Sequence, residues 1–148
     1  MRDQIRFKIG KEEKNIQEKW IEIPEGTEHI QMMIEMPEEF QYMAFLFLED
    51  SRKEIRFQKL LGYGQQNPGI GKSTKDTTIG GVPGKIYPGT WKIGIGIFTE
   101  YVAQKLGEQT GEIVLTVSDR KDVVSDPIGG ECWVENGLHV SEQSYRWE

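Results

Sequence analysis

Along most of this chain hydrophobic and polar positions alternate, which is the period of a strand whose two faces meet different surroundings. Ile5, Phe7 and Ile9 alternate with Arg6 and Lys8, predicting a first strand closed by Gly10. Trp20 to Ile23 predicts a second, stopped at Pro24-Glu-Gly26. Ile30, Met32 and Ile34, set against His29, Gln31 and Met33, predict a third that ends at Pro37. Met43 to Leu48 is an uninterrupted apolar run, short enough for a strand buried on both faces. Ile55 and Phe57 begin another after the polar turn at Asp50-Ser-Arg-Lys53. From Trp91 the alternation is strict: Trp91, Ile93, Ile95 and Ile97 share one face, while Lys92, Gly94, Gly96 and Phe98 share the other. Ile113, Leu115 and Val117, alternating with Val114 and Thr116, predict a last strand.

The interruptions carry as much information. Pro83-Gly84 and Pro88-Gly89 mark tight turns, because Pro presets φ and Gly accepts positive φ. Gly62 to Gly84 is a long excursion rich in Gly, Pro, Asn, Ser and Thr, with one short strand expected at Thr77 to Ile79. Loops of that length are often functional. Thr99 to Gly107 reads either as one or two helical turns stopped by Gly107 or as a plain hairpin loop. Seven to nine short strands between turn signals predict an all-β fold, an antiparallel β-sandwich of jelly-roll type. The sandwich is expected over residues 1–126, with Asp126-Pro-Ile-Gly-Gly130 as a linker. Residues 127–148 form a distinct tail containing Trp133, Tyr145 and Trp147. Gly94 and Gly96 thin one face of the Trp91 strand, so other atoms approach closely there. The chain's own loops or tail are the expected neighbours, rather than a substrate.

Composition narrows the function classes. A chain of 148 residues suits one hydrophobic core. A formal charge of −6, with scattered lysines and arginines, argues against nucleic acid, which needs a basic face. The amino terminus lacks an apolar signal core and no stretch approaches about 18 apolar residues, so a soluble cytoplasmic protein with no membrane partner is expected. The single Cys132 excludes an intrachain disulfide and a multi-cysteine zinc site. It is expected to be a small buried hydrophobe beside Trp133.

Candidate chemistry is sparse. Gly69-Ile-Gly-Lys-Ser-Thr74 resembles the end of a phosphate-binding loop, but Gln66 stands where the leading glycine belongs. The helix that such a loop opens is also disfavoured by Lys75 to Pro83. A polar loop is the better reading. Trp20 and Trp91 are assigned to the core between the sheets. Tyr63 and Tyr87, in loops, are the candidate ligand surface, since exposed rings beside acids and amides hold sugars. His29 reads as an ordinary strand histidine. No carboxylate pair, nucleophile–base set or metal-ligating cluster follows from spacing, so no catalytic residue, cofactor or metal is expected.

One resemblance is more specific. Ile23-Pro-Glu-Gly26, a buried strand, the glycine-rich excursion and the Pro-Gly…Pro-Gly-Thr-Trp segment from Pro83 to Trp91 follow one another in a distinctive order. Over roughly residues 5 to 139 this order resembles the amino-terminal β-sandwich of metal-dependent hydrolases of the polymerase-and-histidinol-phosphatase (PHP) superfamily. In that family the sandwich leads into a catalytic domain opening with Trp-x-x-Gly-Asp-Leu-His-x-His. Here Trp133-Val-Glu-Asn-Gly-Leu-His139-Val-Ser141 stands in its place, with Asn136, Gly137 and Ser141 departing from the pattern. A lone His139 is a remnant of a family position, because a catalytic metal needs about three protein ligands. The resemblance implies a non-catalytic accessory or interaction domain. The alternatives are the amino-terminal part of a phosphoesterase completed by a separate catalytic domain, or a carbohydrate-binding module. The partners in view are a second copy, a PHP-like catalytic protein and a carbohydrate, and the tail is expected to pack on its own sandwich or across a dimer interface.

Overall fold

Alternation becomes nine strands in two antiparallel sheets. The structure, a computed structural model, describes residues 1–129. In chain order the strands are β1 (Arg2–Ile9), β2 (Ile16–Ile23), β3 (Ile30–Met36), β4 (Ala44–Glu49), β5 (Ile55–Leu60), β6 (Gly64–Gln66), β7 (Gly69–Ile70), β8 (Gly89–Ile97) and β9 (Gly111–Ser118). One helix, α1 (Thr99–Leu106), lies between the last two. One sheet runs β1-β9-β3-β6, with β7 also on β3, and the other runs β2-β8-β4-β5. The first strand pairs the last, and the second pairs the one before it, as in a long hairpin rolled into two sheets. That is the jelly-roll pattern.

The phase of each strand decides what is buried. Ile5, Phe7 and Ile9 of β1, Ile30, Met32, Ile34 and Met36 of β3, and Ile113, Leu115 and Val117 of β9 face inward from one sheet. Ile21 and Ile23 of β2, Ala44, Leu46 and Leu48 of β4, and Trp91, Ile93, Ile95 and Ile97 of β8 meet them from the other. Each such aliphatic chain contributes about 1.5–3 kcal/mol when fully buried. Trp91 is 0% exposed and its indole N–H donates to the Tyr87 carbonyl at 2.7 Å, so the ring is buried with its polar atom satisfied.

Four expectations change. Trp20 is not in the core: it shares the phase of Glu18 and Glu22, opposite to Ile21 and Ile23, and is 60% exposed. With a period of two, the two isoleucines decide which face turns inward. The Met43–Leu48 run is not buried on both faces, because Phe45 and Phe47 are only half-buried on the outer one. The strand expected at Thr77 to Ile79 is a single bridge, Thr78 to Pro127, while the excursion's strands are β6 and β7. These two act as one broken edge strand on β3, interrupted at Asn67-Pro68, where the Pro68 carbonyl accepts the Met32 N–H at 2.8 Å. Proline has no N–H to donate, and an edge strand tolerates that loss. Finally, the stretch read as a linker is pinned through Gly129. Ile79 N–H donates to Asp126, Ile128 N–H to Thr77 and Gly129 N–H to Thr74.

Thr99 to Gly107, left open between helix and loop, is the helix α1. It buries Val102, and Gly107 at φ 59 closes it with its N–H on the Ala103 carbonyl. Cys132, Trp133, His139, Tyr145 and Trp147 lie outside the described residues.

Candidate functional site

The outer face of the β2-β8-β4-β5 sheet carries one apolar row beside two mixed ones. Register places Ile16, Gly96, Phe45 and Leu60 in one row across all four strands. The next row is Glu18, Gly94, Phe47 and Gln58, and the third holds Trp20, Lys92 and Glu49. Ile16, Trp20 and Leu60 are exposed, as are Phe98 and Tyr101 where the sheet runs into α1. At that end Ile16, Gly96, Phe98, Tyr101 and Gln104 line an open hollow of 610 Å³. Two rows away, Lys92 sits between Glu18 at 3.1 Å and Glu49 at 3.8 Å. The hydrogen bond to Glu18 holds its ammonium above the ordinary 10.5.

The two glycines on this face differ. A Cβ at Gly94 would lie 1.9 Å from Phe47 Cζ, so the ring of the paired residue covers that position. What Gly94 is bare for is a neighbouring strand's side chain, not a loop. At Gly96 the nearest atom to such a Cβ is the Phe45 carbonyl at 4.0 Å, and the backbone there is open to the hollow.

The predicted ligand residues are not brought together. Tyr87 is half-buried beside two cations, with the Arg52 guanidinium 4.6 Å and the Lys85 ammonium 5.4 Å from its ring centroid. Its face is thus already engaged. Tyr63 is 53% exposed and instead joins Tyr42, 54% exposed, around a second hollow of 390 Å³. Its lining also includes Lys59, Leu60, Gln65, Gln66, Asn67 and Asp126. Tyr42 escaped the sequence reading because its turn carries no glycine, proline or asparagine. The Met43 N–H reaches the Phe40 carbonyl at 3.0 Å, Gln41 has φ −54 and ψ 135, and Tyr42 has φ 62. This is a type II turn with tyrosine where glycine is favoured.

The phosphate-loop look-alike has a structural use. Gly69 and Ile70 form β7, and a single 3₁₀ turn follows at Thr74–Asp76. A Cβ at Gly69 would meet Val124 at 2.7 Å, and one at Gly71 would meet the Asp76 Cβ at 2.6 Å and His29 Nδ1 at 3.1 Å. The glycines let this strand press against His29, and Lys72 pairs with Glu28 at 3.1 Å. His29 is buried, its Nε2 is 2.8 Å from Gln31 Oε1, and its Nδ1 has no protein partner. Gln31 spends its amide N–H groups on the Asn67 and Val123 carbonyls, so Oε1 accepts and the His29 Nε2–H donates.

Among the described residues no group of three or more His, Cys, Asp or Glu is placed to hold a metal ion, and no helix is long and apolar enough to cross a membrane. No family model and no curated protein matches this chain.

Proposed function

We propose that this chain is a non-catalytic accessory module whose exposed sheet face docks a PHP-type catalytic protein. The observation that carries this reading is the apolar row of Ile16, Phe45 and Leu60, extended by Phe98 and Tyr101 and flanked by Trp20. Contiguous exposed apolar surface with a polar rim is the mark of a docking site, and the Glu18–Lys92–Glu49 group supplies such a rim. Trp and Tyr are the side chains that dominate interface energies. The choice of partner rests on the resemblance of Trp133 to Ser141 to the opening of a PHP catalytic domain.

The test is size-exclusion chromatography with light scattering on the purified chain, alone and mixed with a separately purified PHP-type hydrolase from the same genome. A complex that protects β2 and β8 from hydrogen exchange, and that Trp20→Glu weakens, supports the reading. A dimer of the chain alone that Trp20→Glu breaks assigns the face to a second copy and overturns the choice of partner. Hydrolysis of a generic phosphoester by the chain alone with manganese, lost in His139→Ala, overturns the non-catalytic reading.

A further inference from the structure

We infer that the hollow between Tyr42 and Tyr63 is a binding site for a neutral sugar ring, built on the side of the sandwich where β5 hands over to β6. Three observations converge on it. The first is its chemistry. Two half-exposed phenol rings line a hollow of 390 Å³ together with three side-chain amides, Leu60, Ser125, one ammonium, Lys59, and one carboxylate, Asp126. A pyranose presents an apolar C–H face and a rim of paired hydroxyls. Aromatic rings take the face, and side-chain amides, each with a donor and an acceptor, take the hydroxyls.

The second observation is that part of this lining is unengaged, although the Gln65 amide donates to Met33 Sδ at 3.0 Å and to Asn67 Oδ1 at 3.3 Å. The Gln66 amide, both tyrosine hydroxyls, Lys59 and Asp126 make no side-chain hydrogen bond or ion pair among the described residues. Elsewhere on the surface acids and lysines pair repeatedly, as in Lys72–Glu28 and Lys121–Asp76. Gly62 opens the floor: a Cβ there would touch Gln66 Nε2 at 3.6 Å and Tyr42 Cε1 at 3.8 Å, so ring and amide meet over a position with no side chain.

The third is strain. Only three non-glycine residues among those described have positive φ, and two of them, Tyr42 at 62 and Asp126 at 45, line this hollow. A bulky residue in the left-handed region is an outlier, and such outliers gather at ligand sites, where the cost is retained for position. At Tyr42 the type II turn asks for glycine, and the ring it carries instead is mostly in solvent.

The site shares Leu60 with the proposed docking face but none of Ile16, Trp20 or α1, and its test changes none of these residues, so the two are read separately. Its test is saturation-transfer difference NMR on the full chain with cellotetraose, maltotetraose and mannotetraose at millimolar concentration. At least one is expected to give transfer to its ring protons. Tyr63→Ala and Gly62→Val should each weaken that sugar about tenfold, about 1.4 kcal/mol. Gly62 is not at positive φ, so valine fills the floor without a backbone penalty. Tyr87→Ala should leave binding unchanged. Tyr42→Gly separates the roles: the sugar is lost while the melting temperature holds or rises, because glycine relieves the turn. The inference is overturned by no transfer to any of the three sugars, by binding that survives both Tyr63→Ala and Gly62→Val, or by a Tyr42→Gly protein that melts several degrees lower with sugar binding intact.

Discussion

Gly94 has room for a hydrogen and nothing more, whereas Gly96, two positions along the same strand, has space to spare. Glycine in a strand interior costs roughly 0.5–1 kcal/mol relative to alanine, so each glycine needs a reason. Phe47 is the reason at Gly94, because its ring occupies the site of the missing Cβ. Gly94→Ala is therefore expected to destabilise by about 1–3 kcal/mol, the usual cost of overpacking. Gly96→Ala should be neutral or stabilising by about 0.5 kcal/mol. Urea unfolding of both measures the contrast. Adding Phe47→Ala to Gly94→Ala should recover most of the loss, since contacting residues couple; equal costs at the two glycines would contradict this account. The strict alternation after Trp91 showed that both glycines share a face. It held no information on which ring from another strand would lie across one of them, because that depends on the β4–β8 register.

At the scale of elements, a bulge and a turn tie the long excursion to the sandwich. The β4–β5 register slips between Leu48 and Glu49, leaving Arg56 as the extra residue on β5. A bulge re-aims its side chain, and Arg56 points inward, 4% exposed, over the Trp91 ring at 5.6 Å. Its guanidinium donates to the carbonyls of Val82, Gly84 and Lys85 and meets buried Asp50 at 3.4 Å. Asp50 in turn accepts the N–H groups of Arg52 and Glu54. Arg56→Met should cost about 3–5 kcal/mol, because it strands a buried carboxylate and several carbonyls. Adding Asp50→Asn should cost less than the sum of the single changes, as read by thermal unfolding. Farther along, Asp76 in the 3₁₀ turn is 2.7 Å from Lys121, and this hydrogen bond is the main reason its carboxyl lies below the ordinary 3.8. A carboxylate depressed on folding adds stability that is complete above the unfolded value and is lost as pH falls through the lower folded value. Lys121→Ala should move the Asp76 midpoint in an NMR titration back up toward 3.8 and flatten the acid side of the stability profile. An unmoved midpoint would break the assignment. Neither tie was legible in the sequence: Asp50–Lys53 read as a polar turn, and nothing in Arg56 announces a bulge.

For the whole molecule, the decisive feature is that one outer sheet face carries an apolar row across all four strands. Trp20→Glu should leave the melting temperature within about 1 °C, as a surface change does. In any complex through this face it should weaken association by about thirtyfold or more, the scale of a hot-spot residue at about 2 kcal/mol. Titration calorimetry of the wild-type and variant chains reads that difference. The sequence by itself determined the all-β character, the position of most long strands and their inward faces. Those follow from a period of two and from Pro and Gly at turns, which are local effects. Tertiary structure alone decided the rest: the ring over Gly94, the broken edge strand, the bulge at Arg56 and the meeting of Tyr42 with Tyr63. Each of these joins residues far apart in the chain, which the pattern of one segment does not record.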